Sequence, residues 1–162
     1  MPAIRFIALA ALVVWLGGMV VLGLLVAPST FRVLQTQDPV AGRVLAGALF
    51  GEILRQFYIL AYACGAIVLL CLLIMKFVGP PPQAFLVRAA IVVVMLGLAG
   101  YAGVPVAHEI AQLQSRVSGP INKLPETDPI RMRFDRLHAT STTLMTVNMA
   151  LGLVLLSWYI RE

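Results

Sequence analysis

Between His138 and Arg161 the chain carries no charge for 22 residues. As a helix that stretch is roughly 33 Å long, enough to cross the hydrocarbon core of a bilayer. Nothing else in the sequence restricts the fold as strongly, because a chain crossing lipid must satisfy its backbone groups within itself. Three more such stretches occur, and the expected spans are about 6–27, 56–75, 89–107 and 139–160. The charged fraction of 12% is about half that of an ordinary soluble domain, while 60% of residues are hydrophobic. The expected fold is therefore all-α: an integral membrane four-helix bundle forming one transmembrane domain. Its helices should extend beyond the bilayer on one face.

The net charge of +5 reads as membrane-flanking Lys and Arg, with no basic run to suggest nucleic acid as a partner. Arg5 before an apolar stretch has the look of a signal peptide. The stretch is too long for one and no A-x-A site closes it, so it reads as a retained first span. Cys64 and Cys71 lie two turns apart on one helix face, too far for a disulfide, and read as small core residues.

Proline and glycine divide the chain. Pro28 follows the first span and is expected to kink the helix rather than end it, the pattern staying helix-compatible to about Gln35. Asp38-Pro39 is a helix-start signal. No proline interrupts 40–78, so this run is one helix of twice the bilayer thickness or one bent near Gly47 or Gly51, which form a G-x-x-x-G. Gly79-Pro80-Pro81-Pro82 is a hard stop that makes spans two and three antiparallel neighbours. Gly97, Gly100 and Gly103 suggest a packing face on span three. Pro105 lies near the end of that span, and the loop-like stretch 118–128 follows its polar tail. Asp128-Pro129 then opens the last helix. Each half reads as span, Pro, polar tail, Asp-Pro, amphipathic lead-in, span. That order fits a parallel internal repeat, and it fits ordinary punctuation at helix ends as well.

This order places the ends of spans one and three and the starts of spans two and four on the same side. Both histidines fall there, with Arg32, Glu52, Glu109, Asp135, Arg136 and Ser141. The other side holds only Arg5, Lys76, Arg88, Arg161 and Glu162. Raw Lys and Arg counts put the long loops in the cytoplasm, whereas the tight clustering of charges at the terminal side argues for termini inside, so orientation stays open. Within span four, His138, Ser141, Met145, Asn148 and Gly152 share one face. Asn148 would sit near mid-membrane, where an amide must find a partner. It and the threonines either bond to neighbouring helices and to their own carbonyls, or form a polar path leading down from His138.

His138 admits three roles: a satisfied interfacial side chain, a metal or haem ligand, or a proton-handling group. With His108 it could hold a haem b. With Met145, and Met149 a turn further, it could offer soft ligands to copper. A covalent c-type haem is excluded, since no C-x-x-C-H occurs. No Walker loop, dinucleotide fingerprint, H-E-x-x-H or G-x-S-x-G is present, so an enzyme of the familiar soluble kinds is not indicated.

Three stretches carry a resemblance: WLGGMVVLGLLVAPSTFRVL at 15–34, AGRVLAGALFGEILRQFY at 41–58 and FDRLHATSTTLMTVNMALGL at 134–153. In them the chain resembles the transmembrane protein 205-like family, with Phe134, Leu137-His138 and Ser141 the most specific part. GYAGVPVAHEI at 100–110 keeps a proline but matches loosely. The resemblance implies a four-span bundle and a shared role for Arg32, His138 and Ser141, and brings no reaction. Trp15-x-Gly17-Gly18 is distantly similar to copper-resistance protein D.

The reading is a small multi-pass protein of the bacterial inner (plasma) membrane, non-enzymatic, whose polar side binds a partner or small ligand. Its partners would be the lipid bilayer and other membrane subunits, as an accessory part of a larger complex. The expected cluster is Arg32, Glu52, His108, Glu109, His138, Ser141 and Asn148. The alternative is a haem- or copper-handling protein with His138, and Met145 for copper, as ligands.

Overall fold

The computed structural model describes residues 2–78 and 83–161. The Gly79–Pro82 turn read from the sequence lies outside them. Four long helices run through the described residues: α1 (Pro2–Gln37), α2 (Ala41–Val78), α3 (Phe85–Ser115) and α4 (Pro129–Arg161). Each is long and apolar enough to cross a membrane. At 31 to 38 residues they run roughly 46 to 57 Å, so each is long enough to span a bilayer core and project beyond it. Among the described residues there is no strand.

The helices run up-down-up-down. α1 packs on α2, α2 on α3, α3 on α4 and α4 back on α1, closing a ring around one core. The buried positions follow alternating steps of three and four: Ala8, Leu12, Trp15, Met19 and Leu22 on α1, and Tyr58, Ala61, Gly65, Val68, Leu72 and Met75 on α2. On α3 they are Arg88, Val92, Met95, Ala99, Ala102 and Val106. Seven residues per two turns is the seam of a left-handed bundle. Outward residues are as apolar as inward ones, for example Leu24, Leu70 and Val93, because their neighbour is lipid.

α2 is one continuous helix from Ala41 to Val78, with no break at Gly47 or Gly51. Its G-x-x-x-G is not a close-packing face: a Cβ at Gly47 would meet only the Gln114 side chain at 3.2 Å, and one at Gly51 would meet nothing within 4 Å. The expected glycine face of α3 is likewise corrected. Only Gly103 sits tightly, against Tyr58 and Tyr62, while Gly97 and Gly100 face open space. The three residues step round the helix by about 60° at a time, so they cannot all face one neighbour.

The prolines neither end nor simply kink their helices. In α1 a π turn at Leu22–Val26 precedes Pro28, and Ala27 N–H donates to the Leu22 carbonyl five residues back. In α3 a π turn at Ala102–Val106 contains Pro105, and Ala107 N–H donates to the Ala102 carbonyl. Proline supplies no N–H and its ring crowds the carbonyl four residues earlier. One extra residue in the turn relieves both problems and lets the helix continue.

At the polar side, Asp38 Oδ1 accepts from the N–H groups of Val40 and Ala41, and Asp128 Oδ1 accepts from that of Ile130. Both Asp-Pro pairs therefore start helices as their sequence signals. The 116–128 segment folds back with one 3₁₀ turn at Ile121–Lys123. Ile121 joins Val106, Leu113 and Leu137 in a second, smaller core at the polar side. Cys64 and Cys71 are buried free thiols.

Candidate functional site

The polar side is where the sequence gathers its chemistry, and the structure divides that chemistry into separate parts. On the α3 tail, Glu109 receives two hydrogen bonds from Arg133 of α4, at 2.6 and 3.1 Å. Arg131 donates to the Leu124 carbonyl at 2.7 Å and reaches Glu126 and Asp135 at 3.4 and 3.7 Å. These contacts hold the loop over the second core. On α2, Glu52 is gripped by Arg55 at 2.7 and 2.8 Å and accepts from Gln56. The Arg55 guanidinium pulls the Glu52 carboxyl down to about 2, and Arg133 holds Glu109 below the ordinary carboxyl range.

Both pairs are exposed, so their contribution to stability is small. Its sign is fixed. A carboxyl whose pKa is lowered on folding stabilises the fold above its unfolded value of about 4.5 and loses that contribution as pH falls through its folded value. Thermal melts should therefore be flat from neutrality to about pH 5 and fall only gently toward pH 2. Replacing Glu52 and Glu109 together by Gln should shrink that acid slope to the part due to Asp38, whose carboxyl the Val40 and Ala41 N–H groups also hold below its ordinary range. An unchanged slope in the double variant would show that other carboxyls cause it.

The seven expected residues are Arg32, Glu52, His108, Glu109, His138, Ser141 and Asn148. No hydrogen bond or ion pair among the described residues links any two of them. Arg32 is exposed near the end of α1. His108 is exposed, with the Gln112 amide 3.0 Å from its Nε2. His138 is exposed and its ring lies parallel to that of Phe134, centroids 6.1 Å apart. Ser141 turns inward, where its hydroxyl faces that of Tyr58. Asn148 is only 4% exposed and donates through Nδ2 to the Met95 carbonyl of α3 at 3.1 Å. The hydroxyls of Thr140, Thr142, Thr143 and Thr146 each bond the carbonyl four residues earlier on α4. The threonines thus form no continuous polar path down from His138.

Metal or haem binding gains no support from this geometry. His138 and Met145 are seven residues apart, roughly 10 Å along one helix, and His138 is exposed while Met145 lines an interior cavity. Among the described residues no three His, Cys, Asp or Glu side chains come together as a metal site.

Sequence reasoning missed Arg88. It looks like a membrane-flanking charge, yet it is 1% exposed. Its guanidinium lies 5.8 Å from the ring centre of Trp158 and 5.4 Å from that of Tyr159 on α4. The signal was available. α3 begins where α4 ends, and adjacent aromatics there meet an arginine one turn into α3.

The fold and the divided polar side define a multi-pass four-helix membrane protein. More particularly, the chain belongs to the DUF4149 family: the model described as "Domain of unknown function (DUF4149)" matches residues 10–116. That span covers Arg32, Glu52, His108 and Glu109 but stops before α4. It does not establish the finer resemblances to transmembrane protein 205-like proteins or copper-resistance protein D. No curated protein and no solved structure matches the chain.

Proposed function

We propose that this protein is a non-enzymatic subunit of a larger assembly in a bacterial inner membrane, and that it meets its partner through the outer face of α4 and the polar side above it. One observation carries the reading. The span of α4 is the least apolar of the four and also the least buried, with 17% of its most apolar window inside the bundle against 28 to 39% for the others. A lone bundle in lipid would turn its most polar helix inward. Here Ala139, Thr143, Thr146 and Ala150 face outward, a flat row on which another transmembrane helix can lie closely.

The threonine hydroxyls already donate to their own helix, so each retains lone pairs for a donor on that neighbour. His138, Arg32 and His108 are exposed at the polar side and add donors for the partner's flanking residues. Glu52 and Glu109 are engaged in ion pairs and serve the fold, while Ser141 and Asn148 serve the interior.

The test is a photo-crosslinking residue placed at Thr143, with Val93 of α3 as an equally outward control, in native membranes. A discrete adduct at 143 and none at 93 is expected. His138→Ala should lower its yield about threefold, the equivalent of one interhelical polar contact of ~0.6 kcal/mol. Lipid adducts alone at both positions would refute the reading.

A further inference from the structure

All four helices line one cavity on the bundle axis, among them Trp15 and Met19 of α1, Phe57 and Tyr58 of α2, and Met145 and Asn148 of α4. Its wall is mostly apolar, and the polar side chains on it are Asn148, Tyr58 and Trp15. The orientation of the Asn148 amide is fixed by its partner. The Met95 carbonyl can only accept, so Nδ2 faces it and Oδ1 is left over. Oδ1 is buried and has no hydrogen-bond partner among the described residues. An acceptor stranded in this way has lost its bond to water and gained none in return, which is costly in a folded core.

The free space in the cavity is about that of one water molecule. An apolar space of this size stays dry, whereas one with several polar groups on its wall holds water. We propose that the cavity is a binding site for a single water molecule, which donates to Asn148 Oδ1 and completes its shell with the Tyr58 hydroxyl and the Trp15 indole. No Asp, Glu, Lys or Arg lines the cavity, so its occupant is neutral. Ser141, one turn before Met145 on α4, faces the hydroxyl of the cavity-lining Tyr58 and marks the way in. The water ties α4 to α1 and α2, as the Met95 bond ties it to α3. This site is independent of any partner on the outside of α4.

The test is water-to-protein magnetisation transfer by NMR on the full chain in lipid nanodiscs. Transfer is expected at the Asn148 side-chain amide and the Trp15 indole N–H, both well inside the membrane, as well as at the backbone amides of Glu109 and Arg133 on the polar side. In Asn148→Leu the Trp15 transfer should disappear while that on the polar side persists. A wild-type protein with transfer on the polar side and none at Asn148 or Trp15 would overturn the proposal. So would Trp15 transfer that survives in Asn148→Leu. Should that variant not fold, the wild-type spectrum decides alone.

Discussion

Gly42→Ala is expected to lower stability by about 3 kcal/mol or more, the upper end of what overpacking costs. The added Cβ would lie 2.0 Å from the Leu34 carbonyl oxygen and 2.5 Å from its carbon. Those are backbone atoms of α1, one turn before its end, and they cannot rotate away. The turn between α1 and α2 is tight because Asp38 ends the first helix and caps the second, and Gly42 N–H donates to the Asp38 carbonyl at 2.9 Å. To admit the extra methyl, the variant would have to open that turn and move α2 off α1. Gly51→Ala is the control. It sits on the same helix with nothing within 4 Å of the new methyl and should gain about 0.5–1 kcal/mol from helix propensity. Unfolding curves in detergent would rank the three proteins. If Gly42→Ala matched wild type, the tight α1–α2 turn would be wrong.

Arg88→Ala should cost a comparable amount, about 2–4 kcal/mol, because it empties a long, fully buried side chain from between α3 and α4. Arg88→Met restores most of the volume but no charge over the Trp158 and Tyr159 rings, a contribution of about 0.5–2 kcal/mol. The expected order of melting temperatures is wild type, then Met, then Ala, with a red shift of Trp158 emission in the Ala variant as its ring meets water or lipid headgroups. Equal stability of all three would mean that Arg88 merely flanks the membrane.

Much of this fold could be read from the residues. The number of long apolar helices and the two Asp-Pro helix starts follow from the spacing of charges and from side chains that cap locally, and both effects act within a few residues. The π turns were not legible. Proline signals a disturbance, but whether the helix stops, bends or widens depends on what the neighbouring helix accommodates. The candidate site was legible only as a location. Sequence order put Arg32, Glu52, His108, Glu109, His138 and Ser141 on one side of the membrane. It could not say that Glu109 would choose Arg133, Glu52 its own Arg55, and His138 the ring of Phe134, because those choices depend on helix rotation. That Asn148 would be paired was legible, because a lone amide in an apolar run must find a partner. That its partner is the Met95 carbonyl of α3 depends on how α3 and α4 pack.

The central claim is that the outer face of α4 touches protein and not lipid in its native setting. A nitroxide at Thr146 tests this directly through its accessibility to dissolved oxygen, compared with one at Val93, an outward position on α3 that is 55% exposed. In native membranes Thr146 should be markedly less accessible than Val93, and the two should become equal once the purified protein stands alone in detergent. Equal, lipid-like accessibility in native membranes would contradict the account.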